Sequence, residues 1–371
     1  MVVCFAAIFI SIKIRYAAND KKIENTPPEY LEDYYYYNQL TYKEQLLFKS
    51  IKSAAENFES ESEIVPYKYT EKEFQRVAKA VTFDCPMLFY LNQNSFQLFC
   101  DGYKTSVTMN YNDTASNFTE MRMEIEAVSA AAMAYVKNAE TDFEKAVILH
   151  DFLTSYCTYA GKKDTENNPN KTSHTAYGAL VEKYAFCDGY AAAYKILLNR
   201  CGIECIIAEG ATDVQPHLWN VVKQGDKYFH IDCTWNDSDV DFLSDLNFHG
   251  FFNLSDKEIS KTHRFYTDFS LPVCDSDNNY YFQINANVSS TDLLEDTAYL
   301  QIKNAVSEKK TYFELYLSYT DNNKIPEGVI LKAIDRVNGE HESSVLSRSY
   351  RIFSATQSGR AVTVQIYYIN D

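Results

Sequence analysis

Lysine and arginine are scarce in this sequence: 35 of them stand against 51 aspartates and glutamates, a net charge of −16 over 371 residues. A protein that grips nucleic acid needs a basic face to displace counterions from phosphate, so that class is excluded. The acidic surplus reads as a solubility device. Also missing is any CxxC pair among the nine cysteines, which are Cys4, Cys85, Cys100, Cys157, Cys187, Cys201, Cys205, Cys233 and Cys274. Cys201 and Cys205 are separated by three residues, and no Cys or His pair follows at finger-like spacing, which argues against a structural zinc site. Most of these thiols read as small buried hydrophobes. The calcium-loop pattern D-x-[DN]-x-[DN]-G is absent as well. No metal and no cofactor is expected.

Nor does any stretch reach the ~20 consecutive apolar residues that cross a bilayer. The nearest is MVVCFAAIFISIKIR, residues 1–15, apolar as far as Lys13. It resembles the hydrophobic region of a signal peptide, with Tyr16-Ala17-Ala18 as a poor cleavage site, although the usual positive charges in front of it are missing. A short buried helix or strand is the plainer alternative. The polar, linker-like stretch that follows, NDKKIENTPPEYLEDYYYY, tips the reading toward export. The expected location is extracellular or at the cell surface, with residues 1–15 as a candidate membrane tether.

What the chain does have is apolar residues: 46% are hydrophobic, with 23 Phe and 30 Tyr, enough for two or three domains with cores of their own. The expected divisions are a signal- or anchor-like segment (1–18), a polar linker with an N-terminal helix (19–66), a core with its N-terminal subdomain (67–286) and a small α/β domain (290–371). Leu46, Leu47, Ile51 and Ala54 recur at helical intervals between Leu40 and Phe58. A second helix is predicted from Thr70 to about Val81, with Thr70 as N-cap and Glu73 completing a capping box. Strands follow near 96–99 and 106–111, then helices over 119–139 and 142–156. In the C-terminal part, TYFELYLSYT and AVTVQIYYI read as strands and EGVILKAIDRV as a helix between them.

The segment AFCDGYAAAY, residues 185–194, carries the chemistry. From Asp188 to Arg200 the pattern is helical: Tyr190, Ala193, Tyr194, Leu197 and Leu198 share one stripe, and Cys201-Gly202 supplies the stop. Cys187 therefore stands at a helix N-terminus, where unpaired N–H groups and the dipole favour thiolate over thiol. Gly189 and Ala191 to Ala193 keep the first turn slim, so that backbone or substrate can come close. Downstream, IECIIA, QPHLWNVV and YFHIDCTW read as three strands, the last two flanking a hairpin signal at residues 223–227. A loop centred on Gln224-Gly225 sets His217 opposite Asp232, and one centred on Gly225-Asp226 makes them diagonal neighbours. Any even loop keeps both on one face; an odd loop would separate them. Thiol, imidazole and carboxylate then form a nucleophile, a base and the group that orients the base.

These motifs, in the order AFCDGYAAAY, GIECIIAEG, HLWNVV and YFHIDCTWND, resemble the transglutaminase-like superfamily with its papain-type Cys-His-Asp triad, and the bacterial transglutaminase-like domain proteins in particular. The likeness extends loosely upstream to Leu40 and downstream to FFNLSDKEIS and His263, and leaves the C-terminal part outside. It implies an α+β fold: a transglutaminase-like, papain-like core in which a Cys-bearing helix packs on an antiparallel sheet, a helical N-terminal region and a small C-terminal α/β appendage. By the same likeness Cys187 is the nucleophile, His217 the general base and then acid, and Asp232 the orienter. Trp219, Asn220 and Trp235 would form the supporting wall of the site. The backbone N–H of Cys187 is one oxyanion donor; for the side-chain donor Tyr177 comes first and His174 second.

Each residue alone has a structural explanation: His217 as a satisfied core histidine, Asp232 as a cap, the two tryptophans as core aromatics. His150, His230, His249 and His341 find no partner in the sequence, and His263 reads as structural. Only the ordered set raises the three above that. Two readings follow. One is an exported cysteine amide-bond enzyme, a peptidase, amidase or cross-linking acyltransferase, acting on protein or peptide substrates with cell-wall peptide among them. The other is a catalytically silent scaffold that binds at the cell surface through its C-terminal domain.

Overall fold

Three threonines start three helices in the same way. Thr41, Thr70 and Thr141 each accept a hydrogen bond from the backbone N–H three residues on, while Glu44, Glu73 and Glu144 reach back to the threonine's own N–H. Each reciprocal pair satisfies two donors that a helix start would otherwise orphan. The helices so begun are α1 (Tyr42–Glu56), α2 (Glu71–Asp84) and, beyond α3 (Ala115–Ala132), α4 (Asp142–Tyr156). The predicted 119–139 helix thus lies a few residues earlier, because Thr114 caps it. Between α2 and α3, β1 (Phe96–Asp101) and β2 (Lys104–Met109) form an antiparallel hairpin. The computed structural model describes residues 26–91, 96–102, 104–111, 114–160, 171–213, 215–237, 248–266, 268–319, 325–354 and 360–369, so the apolar segment 1–15 lies outside the described residues.

The central layer follows. β3 (Thr158–Tyr159) pairs in parallel with β4 (Tyr184–Ala185), and α5 (Cys187–Arg200) begins two residues later. It ends as the sequence suggests. Gly202 takes a left-handed φ of 78°, its N–H bonds the Asn199 carbonyl at 3.0 Å, and the Ile203 N–H bonds that of Leu198 at 3.0 Å. Then come β5 (Cys205–Ala211), β6 (Pro216–Gln224), β7 (Lys227–Ile231), the short α6 (Cys233–Asn236), β8 (Phe252–Leu254), α7 (Asp256–Ile259) and β9 (Arg264–Phe265). The five strands make one antiparallel sheet in the order β8-β7-β6-β5-β9. Tyr190, Ala193 and Leu197 of α5 share a buried cluster with Cys205, Val222 and Ile231 of the sheet. Trp219 and Val221, which alternate with Val222 along β6, pack instead with α1 and α2. The Cys-bearing helix therefore lies on one face of an antiparallel sheet and the N-terminal helices on the other.

The chain continues through α8 (Tyr280–Gln283), β10 (Asn287–Val288), α9 (Leu294–Ser307), β11 (Tyr312–Leu317), α10 (Val329–Asn338), β12 (Leu346–Ser354) and β13 (Ala361–Tyr368). Its sheet has the order β10-β11-β13-β12, with β10 parallel to β11 and the other pairs antiparallel, over an apolar cluster of its own. The strands around 312–317 and 361–368 and the helix between them match the sequence pattern; α9 and β12 were not read there. All eight cysteines among the described residues are free thiols. No described helix is long and apolar enough to cross a membrane.

Candidate active site

Cys187 is the first residue of α5, and Phe186 before it is extended and offers no side-chain cap. Of the first N–H groups, that of Gly189 is taken by Asp188 Oδ1 at 3.0 Å, while that of Cys187 stands at the helix start where developing negative charge can meet it. The helix can sit where it does because residue 189 has no side chain. A Cβ on Gly189 would come within 2.8 Å of the Thr175 carbonyl oxygen and 3.0 Å of that of Ser173. The slim first turn serves the approach of backbone.

His217 is the second residue of β6 and pairs with Gly210 on β5. Gly210 also pairs with Phe265 on β9, and any Cβ there would lie 1.9 Å from the Arg264 carbonyl oxygen. Between β6 and β7, Gln224 pairs with Lys227, so the loop is Gly225-Asp226, with Gly225 at φ 61°. That even loop makes His217 and Asp232 diagonal neighbours on one face. β7 stops at Ile231, and Asp232 serves as N-cap of α6: its Oδ1 accepts from the Trp235 N–H at 3.1 Å. The other oxygen is left for the imidazole. His217 Nε2 lies 2.7 Å from Asp232 Oδ2, with both residues buried. Its Nδ1 is buried and takes no hydrogen bond; the Cys187 thiol is near enough to the ring to favour its charged form.

The electrostatics follow from this geometry. Burial works against an imidazolium at His217, but Asp232 overrides it, Cys187 adds to the effect, and the pKa is pushed up to about 10. Burial likewise works against a charged Asp232, yet His217 and His263 hold its carboxyl well below the usual range. By contrast burial pushes the thiols of Cys85, Cys157 and Cys205 up to about 12.

His263 is a member of the site that the sequence does not reveal. Its Nε2 lies 3.1 Å from Asp232 Oδ2, the oxygen His217 uses, and Thr262 Oγ1 lies 2.8 Å from its Nδ1. Its ring lies 4.7 Å from Trp235 and 4.9 Å from Trp219. The supporting wall divides. Trp219 stacks alongside His217 and donates from Nε1 to His230 Nδ1 at 3.0 Å, while His230 Nε2 meets Asp256 at 2.9 Å. Trp235 lies 6.0 Å from His217, ring to ring. Asn220 faces the other way, donating to the Ala191 carbonyl of α5 at 3.0 Å, so it ties the sheet to the helix.

The oxyanion candidates also divide. The Tyr177 hydroxyl donates to Glu124 on α3 at 2.7 Å and its ring stacks on Phe89. His174 stays at the start of α5, with Nδ1 2.8 Å from Asp188 Oδ2 and its ring stacked on Phe186. Tyr159, for which the sequence gives no signal, has its hydroxyl pKa raised by burial first and by Cys187 next. The two-residue pairing of β3 with β4, which no local pattern announces, brings it there.

Three groups of possible metal ligands occur among the described residues: His217, Asp232 and His263; His150, Asp151 and His249; and His230, Asp256 and Cys274. In each, the imidazole and carboxylate groups hydrogen-bond one another.

Residues 129–233 match the model of the transglutaminase-like superfamily, a span that holds Cys187, His217 and Asp232. That stretch is transglutaminase-like. Among solved structures, the chain is similar to "a TGase" at 14% identity over 62% of this chain and 66% of that one, with a TM-score of 0.31. It is similar to "a Putative Cysteine Protease from Cytophaga hutchinsonii" at 10% identity over 39% and 62%, TM-score 0.26. A "putative protease from Parabacteroides distasonis" gives 14% identity over 38% and 30%, TM-score 0.22. The chain thus spans less than two thirds of the length of each. No curated protein matches it.

Proposed function

We propose that this transglutaminase-like protein is a cysteine-dependent amide-bond enzyme, a peptidase, amidase or cross-linking acyltransferase. The observation that carries the reading is the buried His217–Asp232 hydrogen bond of 2.7 Å, whose imidazole keeps Nδ1 for the thiol at the head of α5. The family match over residues 129–233 supports it.

In this reading the proton of Cys187 passes to His217 Nδ1, and the thiolate attacks the carbonyl carbon of an amide. The carbonyl oxygen takes up the negative charge, and the Cys187 N–H at the start of α5 steadies it. As the C–N bond breaks, His217 gives its Nδ1 proton to the departing amine, leaving a thioester on Cys187 and a neutral imidazole. Water or a second amine then attacks the thioester, losing its proton to His217. The sulfur leaves as thiolate beside the imidazolium, and the product is an acid or a new amide. Asp232 stays ionised throughout and holds the ring in one tautomer.

The same proposal places the protein outside the cytoplasm or at the cell surface, on protein or peptide substrates that include cell-wall peptide. The apolar stretch 1–15 and the polar linker after it support that placement. The test is incubation with a peptide library, with and without a primary amine, followed by mass spectrometry. Cleaved or amine-coupled peptides that vanish in C187A are expected, together with an acyl adduct on Cys187. Turnover that survives in C187A, or none in the parent protein, sinks the proposal and leaves the silent scaffold.

A further inference from the structure

A buried set of polar side chains runs from the C-terminal sheet to the acid of the active site, and its protons can be assigned one by one. The Phe251 N–H donates to Asn236 Oδ1 at 2.8 Å, which fixes the orientation of that amide. Asn236 Nδ2 then donates to His150 Nε2 at 3.0 Å, so the proton of His150 resides on Nδ1 and is given to Asp151 Oδ1 at 2.9 Å. The same carboxylate oxygen accepts from His249 Nε2 at 2.8 Å.

On the other side of His249 stands Glu314, from β11 of the C-terminal sheet, with Oε2 2.5 Å from Nδ1. Glu314 Oε1 also accepts from the His249 backbone N–H at 3.2 Å and from the Tyr281 hydroxyl at 3.3 Å. Burial opposes a charge on His249, but Glu314 and Asp151 on its two sides push its pKa up to about 10, so both ring nitrogens carry protons at neutral pH. One buried imidazolium is held between two carboxylates, with the Tyr280 ring stacked on it at 3.9 Å.

His249 is two residues from Phe251, and Phe251 is fastened to the acid of the triad. The Asp232 N–H donates to the Phe251 carbonyl at 2.9 Å, and the Asn236 N–H to the Asp232 carbonyl at 3.2 Å. With the Phe251–Asn236 bond these close a ring around the turn that presents Asp232. Both ends of that ring lead back to Glu314 through His249, one by way of Phe251 and the other by way of Asn236, His150 and Asp151.

We propose that Glu314 is a positioning residue for the active site: the C-terminal domain supplies the charge that pins His249 and so fixes the turn from which Asp232 holds His217. The inference rests on the triad reading above and assigns the C-terminal domain a part in it. If Glu314 lost its charge the imidazolium would keep only Asp151, whose Oδ1 it shares with His150, and the loop at 249–251 would then settle elsewhere.

The test is E314Q in the full chain, which keeps the length of the side chain and removes its charge, beside Q301A as a control. Gln301 bonds the Ile284 and Asn285 carbonyls, away from this set. Two readouts are followed: kcat and KM on a peptide substrate, and the downfield proton resonance of His217 Nε2–H, assigned by its loss in H217Q. E314Q is expected to lower kcat about tenfold with KM within about twofold, and to shift or broaden the resonance, while Q301A does neither. Wild-type kcat and an unmoved resonance in E314Q overturn the proposal. If E314Q does not fold, E314D carries the test: a kcat loss of about threefold with a moved resonance supports positioning, and unchanged values overturn it. Failure of the functional reading looks different. The parent protein then turns over no substrate, yet the His217 resonance still reports whether Glu314 acts on the turn.

Discussion

Asp232 accepts three hydrogen bonds in a buried site, and two of them fall on one oxygen: His217 at 2.7 Å and His263 at 3.1 Å, with the Trp235 N–H on the other oxygen. A carboxylate oxygen shared by two imidazoles gives each less of its charge than it would give one alone. His263 therefore tempers His217, keeping it able to surrender a proton to the leaving amine. Replacing His263 by Phe keeps a ring among Trp219, Trp235 and Phe251 but removes the second donor. His217 then becomes more basic, and the alkaline limb of kcat/KM, set by His217 near pH 10, moves upward. Because a more basic imidazole is a poorer acid, kcat falls, by about three- to tenfold. A pH profile of H263F identical to that of the parent would leave His263 a packing residue.

At the scale of elements, what was legible followed from local rules. Thr70 with Glu73, and Gly202 behind Arg200, mark helix ends because the capping partners lie within a few residues. The hairpin was legible because side chains alternate, so only the parity of the Gly225-Asp226 loop had to be right. His263 and Tyr159 were not, since β9 and the two-residue β3 carry no pattern of their own, and neighbours in space decide them. The start of α5 shows how packing overrides propensity. Alanine in place of Gly189 should stabilise a helix by up to about 1 kcal/mol. Here its Cβ would meet two backbone carbonyls at 2.8 and 3.0 Å and the Ala185 Cβ at 2.8 Å, none of which is a flexible side-chain end. Overpacking of that kind costs about 1–3 kcal/mol, so G189A is expected to lower stability on balance. It also displaces the sulfur, and alkylation of Cys187 by iodoacetamide at about pH 6.5 slows at least tenfold. A G189A protein with a raised melting temperature and unchanged alkylation would contradict this account.

For the molecule as a whole, the pairing of His249 with Glu314 joins two apolar cores across 65 positions of sequence. No local pattern could disclose it, and read in isolation His249 had no partner. Its titration makes the association of the cores depend on pH. Burial opposes the imidazolium, but Glu314 and Asp151 push the pKa of His249 from 6.5 up to about 10. A histidine whose pKa is raised on folding stabilises fully below its unfolded value, and that contribution is lost as pH climbs through the folded one. The groups facing His249 are Asp151, Glu314, His150 and Tyr280. Both carboxylates accept hydrogen bonds from His249, and burial keeps Tyr280 protonated well above its usual range. The loss on the alkaline side therefore belongs to His249. The parent protein is expected to melt well above E314Q at about pH 7, and the gap should close by about pH 10.5, when the imidazole is neutral in both. Calorimetry at the two values decides it, because other alkaline titrations act on both proteins alike and cancel in the difference. A gap that stays constant across this range would mean that Glu314 holds the cores together by shape, with no contribution from the charge on His249.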